Sequence, residues 1–141
     1  MNELQVLDNR ESEVRKELLV GQLLKAIFEE NCIRQRFSVL RYEIDYYIPE
    51  CHLIIEYDKA ETHLTKDEEN KNRMEKIVNY LFAEWKNDPN SDSYDVEKQN
   101  NPWNLFTVIR IREFEEHKGI GELLEFISGD ARVYTKVQGL C

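Results

Sequence analysis

The chain has 141 residues, of which 41% are hydrophobic and 33% are charged, and its formal net charge is −9. This composition is typical of a folded domain and excludes a largely disordered chain, and the acidic balance argues against a protein that holds nucleic acid by bulk electrostatics. No apolar run approaches the roughly 20 residues that cross a bilayer. The N-terminal run MNELQVLDNRESEVRKE lacks the apolar core of a secretory signal. We therefore expect a cytoplasmic protein that does not enter a membrane.

Cysteine usage agrees with that compartment. The three cysteines, Cys32, Cys51 and Cys141, are an odd number and form no CxxC motif. Such a set indicates neither a disulfide framework nor a structural zinc site. A reducing cytoplasm is the compartment that it favours.

The first half of the chain predicts one helix followed by three strands. Apolar residues recur at three- and four-residue spacing over 11–30, which predicts an amphipathic helix. The run CIRQRFSVL (32–40) predicts a strand. The stretch YEIDYYIPECHLIIEYD (42–58) predicts two more strands, and Pro49 at the turn makes them an antiparallel hairpin.

The second half predicts a helix, a strand and a further helix. Residues 65–85 are predicted to form a polar helix whose inner side carries Met74, Ile77, Val78, Leu81 and Phe82. Residues 87–104 read as a long loop, 105–113 as a strand, 120–127 as a short helix, and the tail 128–141 is ambiguous. A strand that returns after a helix usually runs parallel to its neighbour. We predict an α/β fold: one domain over 1–141, with its core at about 11–127, whose mixed sheet contains a three-strand meander flanked by helices.

The predicted hairpin places four carboxylates within its strands. Regular alternation puts Glu43, Asp45 and Tyr47 on one face of the first strand, opposite the face of Tyr42, Ile44, Tyr46 and Ile48. On the partner strand, Leu53, Ile55 and Tyr57 share one face, and His52, Ile54, Glu56 and Asp58 share the other. If Ile48 pairs with Leu53, then Asp45 faces Glu56 and Glu43 faces Asp58.

Like charges that face each other across two strands are destabilising, so something must offset their repulsion. A shared proton, an arginine or lysine side chain, or a hard divalent cation would each do so, and Mg²⁺ prefers a few carboxylates plus waters. The simpler alternative is a solvated acidic face, for which Lys59, Arg34 and Arg36 lie close in sequence.

Seven short segments follow one another in order over most of 11–127: Arg15-Lys16-Glu17, Ile33-Arg34-Gln35, 42–50, 53–58, His63, Arg73 and 106–110. Through this set of segments the chain resembles the nuclease-like domain found at the C-terminus of antirepressor-type proteins of phages and large DNA viruses. Through that domain it also resembles the PD-(D/E)XK nuclease superfamily. The resemblance implies a Mg²⁺- or Mn²⁺-dependent endonuclease that cleaves phosphodiester bonds of DNA.

The resemblance also implies roles for individual residues. Asp45 and Glu56 would be catalytic metal ligands, with the carbonyl of Tyr57 as a third oxygen and Glu17 completing a second cation site or orienting a water. Asp58 stands where many members of the superfamily have lysine, so water activation would fall to the metal, His63 or Lys59. Three residues, Arg34, Gln35 and Arg73, would contact DNA, although Arg73 could instead pair with the acids of the site.

Two departures from the family pattern concern activity more than fold. His63 lies one residue later than expected, and the loop 87–104 is an insertion. A second function therefore stands beside the nuclease: a catalytically weak or inactive nuclease-fold module that acts through a protein partner, as a phage-type regulator or counter-defence protein. The acidic charge favours this alternative, and the acid pair with His63 favours the nuclease. Either form would act in the cytoplasm of a host cell, and the sequence leaves the oligomeric state, including a homodimer, undetermined.

Overall fold

The computed structural model describes residues 18–58, 67–89 and 101–129. Helix α1 covers 18–27 of this range, and three further helices follow: α2 (Asp67–Asn87), α3 (Pro102–Leu105) and α4 (Glu116–Gly129). The strands are β1 (Arg34–Val39), β2 (Tyr42–Ile48), β3 (Leu53–Asp58) and β4 (Thr107–Arg112). Short 3-10 helices at Glu30–Cys32 and Pro49–Cys51 precede β1 and β3.

The strands form one four-stranded sheet in the order β1-β2-β3-β4. β1 and β2 are antiparallel, as are β2 and β3, while β3 and β4 are parallel. The predicted α/β class, the three-strand meander and the parallel return after α2 are therefore confirmed.

The hairpin between β2 and β3 has the predicted register. Ile48 pairs with Leu53, and the pairing continues to Tyr46 and Ile55. The link starts with Pro49 and ends with His52, whose φ of 52° lies in the left-handed region. The left-handed conformation of His52 connects the 3-10 helix Pro49–Cys51 to the first residue of β3.

Apolar side chains cover both faces of the sheet. On one face Leu24 of α1 and Leu123 of α4 pack against Ile48, Ile55 and other strand residues. On the other face α2 packs against the sheet through the predicted inner side, because Met74, Ile77, Val78, Leu81 and Phe82 are all buried. The sheet is thus a middle layer, and a polar group within it is shielded from water on both sides.

Several boundaries differ from the predicted ones. Within the described residues α1 ends at 27 rather than 30, and its Leu18 and Leu19 are 58% and 61% exposed. The end of the predicted loop 87–104 forms the short helix α3, and α4 begins at Glu116 rather than 120. The predicted tail from 130 onward lies outside the described residues.

Cys51 is buried and its thiol donates a hydrogen bond of 3.8 Å to the carbonyl oxygen of Ile48, whereas Cys32 is disulfide-bonded. The number and spacing of the cysteines did not indicate this bond.

Over the described ranges 18–58, 67–89 and 101–129, no helix has both the length and the apolar character needed to cross a membrane.

Gly119 fixes how closely α4 approaches β4. A Cβ atom at this position would lie 2.8 Å from the carbonyl oxygen of Arg110 and 2.8 Å from Cα of Ile111, which are backbone atoms that cannot move away easily. A Cβ at Gly121, which lies two positions further along the same helix and faces away, would meet nothing within 4 Å.

We therefore expect opposite effects from two matched substitutions. Gly119→Ala should lower the free energy of unfolding by about 1–3 kcal/mol, because α4 must move off the sheet. Gly121→Ala should raise it by up to about 1 kcal/mol, because alanine favours the helix. Urea unfolding of both variants measures this difference, and equal effects would contradict the close packing of α4 on β4.

Candidate functional site

The pairing of β1 with β2 is interrupted at Arg36 and Asp45. Gln35 pairs with Tyr46 and Phe37 with Ile44, but the two residues between them form no pair, and Arg36 has a φ of 50°. A left-handed conformation is costly for a residue with a side chain, and such strain is often found at functional sites. The sheet is therefore distorted at one of the two acids that the sequence singled out.

This interruption changes which way β2 side chains point. Ile44 packs in the cluster on the α2 side of the sheet, whereas Tyr46 packs in the cluster on the α1 side. The predicted alternation placed Ile44 and Tyr46 on one face of the sheet and Asp45 and Tyr47 on the other face. This prediction is wrong for Ile44 and Tyr46. The unpaired position between them breaks the two-residue period on which that prediction rested.

Asp45 lies where β2 and β3 separate. Its Oδ2 accepts a hydrogen bond of 2.8 Å from the backbone N–H of Tyr57, beyond the last backbone pair, Tyr46 with Ile55. A side-chain oxygen thus takes the place of a backbone acceptor, and it satisfies a strand N–H that would otherwise lose its partner. Glu43 and Asp58, which were predicted to face each other, lie beyond the last backbone pair of β2 and β3, so no backbone pair joins them.

Glu56 is the one buried charged residue among those that the structure describes, with 3% of its surface exposed. Burial is the largest cause of a raised pKa of its carboxyl group, and the neighbouring Asp45 adds to the rise through repulsion and a hydrogen bond between the two carboxyl groups, so that the pKa is about 8. The structure therefore brings Asp45 and Glu56 together, as the predicted register requires. It does so through their side chains rather than through a backbone pair.

Arg73 of α2 joins the two diverging strands. Its Nη2 donates to Oε1 of Glu56 at 2.8 Å, and its Nη1 donates to the carbonyl oxygen of Glu43 at 3.3 Å. Its positive charge opposes part of the rise in the pKa of Glu56. Of the two predicted roles for Arg73, pairing with the acids of the site is the one that the structure contains.

Asp58 is neutralised by a neighbouring strand. Nη1 of Arg110 on β4 lies 3.1 and 3.0 Å from the two carboxylate oxygens of Asp58. The parallel register of β3 and β4, which pairs Glu56 with Arg110, places this arginine beside both acids. Sequence reasoning matched Arg110 to a motif without giving it a role at the site.

The donor atoms suit a hard divalent cation with few protein ligands. No group of three or more His, Cys, Asp or Glu side chains in the described segments could hold a metal ion. Two adjacent carboxyl groups nevertheless fit Mg²⁺, which commonly binds through one or two carboxylates and keeps several waters. A cation would have to displace the proton that Glu56 holds, while Arg73 binds Oε1 of the same carboxyl group.

The other predicted residues divide into two groups. Glu17, Lys59 and His63 lie outside the described residues, so their roles stay predictions, as does that of the Tyr57 carbonyl. Arg34 and Gln35 are exposed on β1. Gln35 also lines a groove of about 560 Å³ between α1 and the sheet, and Asp45 and Tyr57 lie in the same groove.

Comparison with known proteins gave no match: no family model, no curated protein and no solved structure matches the chain.

The raised pKa of Glu56 predicts a dependence of stability on pH. Between its unfolded value of 4.5 and its folded value of about 8, only the folded chain holds the proton. The free energy of unfolding should therefore fall as the pH rises through this window, by up to about 1.4 kcal/mol per pH unit from this group. Glu56→Gln, which keeps the shape but cannot ionise, should remove that part of the slope.

Urea unfolding at a series of pH values across the same window measures this effect. Glu122→Gln, at an exposed position of α4, is the matched control and should keep the slope of the wild type. A Glu56→Gln slope equal to that of the wild type would show that Glu56 does not hold its proton in the folded state.

Proposed function

We propose that the chain is a Mg²⁺- or Mn²⁺-dependent DNA endonuclease with a core of the PD-(D/E)XK type. One observation carries the proposal: Asp45 and Glu56, from adjacent strands, meet at the point where those strands separate. Keeping two carboxyl groups together at a distorted and partly buried position costs stability, and catalytic sites accept such a cost. The order helix, three-strand meander, helix, parallel strand supports the same assignment.

A divalent cation bound at these acids would lower the pKa of a bound water and offset the negative charge that develops on the scissile phosphate. The chain supplies the surroundings. The N–H of Tyr57 fixes the direction of the Asp45 carboxylate, and Arg73 holds Glu56 against β2.

The groove on the α1 side supports access to Asp45. Besides Asp45 it is lined by Lys25 and Arg36, whose positive charges suit a phosphate backbone, and by Gln22 and Gln35, which can form hydrogen bonds. This placement is consistent with a contact between Gln35 and DNA. It provides an open route from solvent to one of the two acids.

A second function is favoured by a different observation. Within the chain itself, Arg73 binds Oε1 of Glu56 at 2.8 Å and Arg110 neutralises Asp58 at 3.0 Å. These contacts, together with the raised pKa of Glu56, satisfy the acids without any ion. The alternative is therefore a nuclease-fold binding module that acts through contacts with a protein partner.

Metal binding should stabilise the protein in a manner that depends on pH. Because the cation displaces the proton of Glu56, millimolar Mg²⁺ or Mn²⁺ should raise the melting temperature more at about pH 8 than at about pH 6. Thermal melts with EDTA and with each metal test this, with Glu56→Gln as the control that should lose the shift. Equal melting temperatures with and without metal at both pH values favour the binding module.

Removing one acid should abolish cleavage without unfolding the chain. Glu56→Ala and the isosteric Glu56→Gln should lower cutting of supercoiled plasmid and single-stranded DNA by about a hundredfold or more, because the cation loses its anchor. Glu56→Gln should keep a stability close to that of the wild type in EDTA, because its amide oxygen can still accept from Arg73, whereas Glu56→Ala removes that partner of Arg73 and should lower the stability. Glu122→Gln should cut at the rate of the wild type.

The assay compares purified wild type and variants with Mg²⁺, with Mn²⁺ and with EDTA. If the wild type cuts nothing, or if Glu56→Ala cuts equally well, the nuclease assignment is wrong. A search for bound protein partners then becomes the test of the alternative.

A further inference from the structure

A second groove lies on the α2 side of the sheet, between α2, α3 and β4. Its volume is about 530 Å³, within the range of about 300–1,000 Å³ that ligand sites in proteins occupy. The residues that line it are Asn70, Lys71, Met74, Glu75, Trp103, Val108, Arg110 and Arg112. It is separate from the groove that reaches Asp45, with which it shares no lining residue.

An exposed tryptophan stands in the wall of this groove. Trp103 is 47% exposed, whereas Trp85 is buried and stacks on Phe82. The backbone below Trp103 is fixed, because Asn101 caps α3 by accepting a hydrogen bond of 3.0 Å from the N–H of Trp103, and Pro102 begins the helix. A large aromatic ring on a rigid support loses little entropy when a flat ligand stacks on it.

The charges of the groove are opposite in sign to those of the chain as a whole. Lys71, Arg110 and Arg112 line it, and Glu75 is its one acidic residue. Because Arg110 is paired with Asp58, Lys71 and Arg112 against Glu75 leave an excess of one positive charge in the lining, whereas the chain as a whole carries a net charge of −9. Clustered cations beside an exposed aromatic ring are the arrangement by which proteins hold single-stranded nucleic acid.

The groove is connected to the acidic site through Arg110. This residue lines the groove and binds Asp58, and the register of β3 with β4 pairs it with Glu56. Glu56 itself points to the α2 side of the sheet, where Arg73 binds it. A strand lying in the groove would therefore run toward the acids on the same face of the sheet.

We propose that this groove binds a single-stranded segment of DNA, with a base stacked on Trp103 and backbone phosphates at Lys71 and Arg112. The choice of DNA rests on the proposed nuclease function, but the groove itself is independent of metal. A base stacks on Trp103 only if it is unpaired, so the groove selects single strands over duplexes. The substrate would then be a single strand, a flap or a melted end.

Binding is measured by fluorescence anisotropy with a labelled thymidine oligonucleotide of about 15 nucleotides, in EDTA so that nothing is cut. The wild type should bind it more tightly than a duplex of the same length. Trp103→Ala should weaken binding roughly tenfold or more, and Trp103→Phe should retain most of it. Tyr80→Ala removes another exposed aromatic side chain, on α2 outside the groove, and should have no effect.

The contribution of Lys71 has its own readout. Because each phosphate contact on a single strand adds about 0.7 to the slope of log affinity against log salt, Lys71→Ala should reduce that slope by about this amount. Lys76→Ala, on the same helix but outside the groove, should leave it unchanged.

Several outcomes would overturn the proposal. These are equal affinity of Trp103→Ala and wild type, affinity for duplex equal to that for the single strand, or tighter binding of a uridine oligonucleotide than of the thymidine one. Cleavage that requires Glu56 but ignores Trp103 would reject the groove and leave the nuclease standing. Single-strand binding that requires Trp103, in a protein that cuts nothing, would support the groove and reject the nuclease.

Discussion

A buried carboxyl group is the constraint on which the rest of this structure depends. Glu56 lies in the middle layer of the fold, and only 3% of its surface is exposed. An ionised carboxylate in such surroundings is strongly destabilising unless it is paired or protonated. The chain uses both means, because Arg73 binds one oxygen and a raised pKa of about 8 keeps the proton bound near neutral pH. A sheet whose interior holds this group therefore needs α2, which carries Arg73, in a fixed position.

The distortion of the sheet follows from the second acid. The backbone pairing of β2 with β3 ends at Tyr46 and Ile55, and beyond it the carboxylate of Asp45 satisfies the N–H of Tyr57. On the other side of β2, Arg36 adopts a left-handed conformation at the same level. The β1–β2 pairing is thus interrupted, and β2 separates from β3, at the same residue, Asp45.

The sequence was sufficient to predict the order of elements, the hairpin register and the contact between Asp45 and Glu56, because these depend on local patterns and a short link. It was not sufficient to predict the change of face between Ile44 and Tyr46. That change accompanies the positive φ of Arg36, and an arginine in a sequence does not indicate a left-handed backbone conformation. The role of Arg110 was also missed, because a parallel pair joins strands separated by a long stretch of chain, and alternation within one strand says nothing about its neighbour.

The acidic site is a place where a proton, two arginines and a cation would compete for the same oxygens. Arg73 and Arg110 are covalently part of the chain and are always present, so they set the stability of the site in the absence of other ligands. A divalent cation concentrates two charges at one point and would gain most when Glu56 is ionised, which places its advantage at higher pH. The two proposed functions thus differ in which group binds the carboxyl groups with the more favourable free energy. In a binding module the arginines and the proton stay bound under working conditions, and in a nuclease the cation replaces the proton.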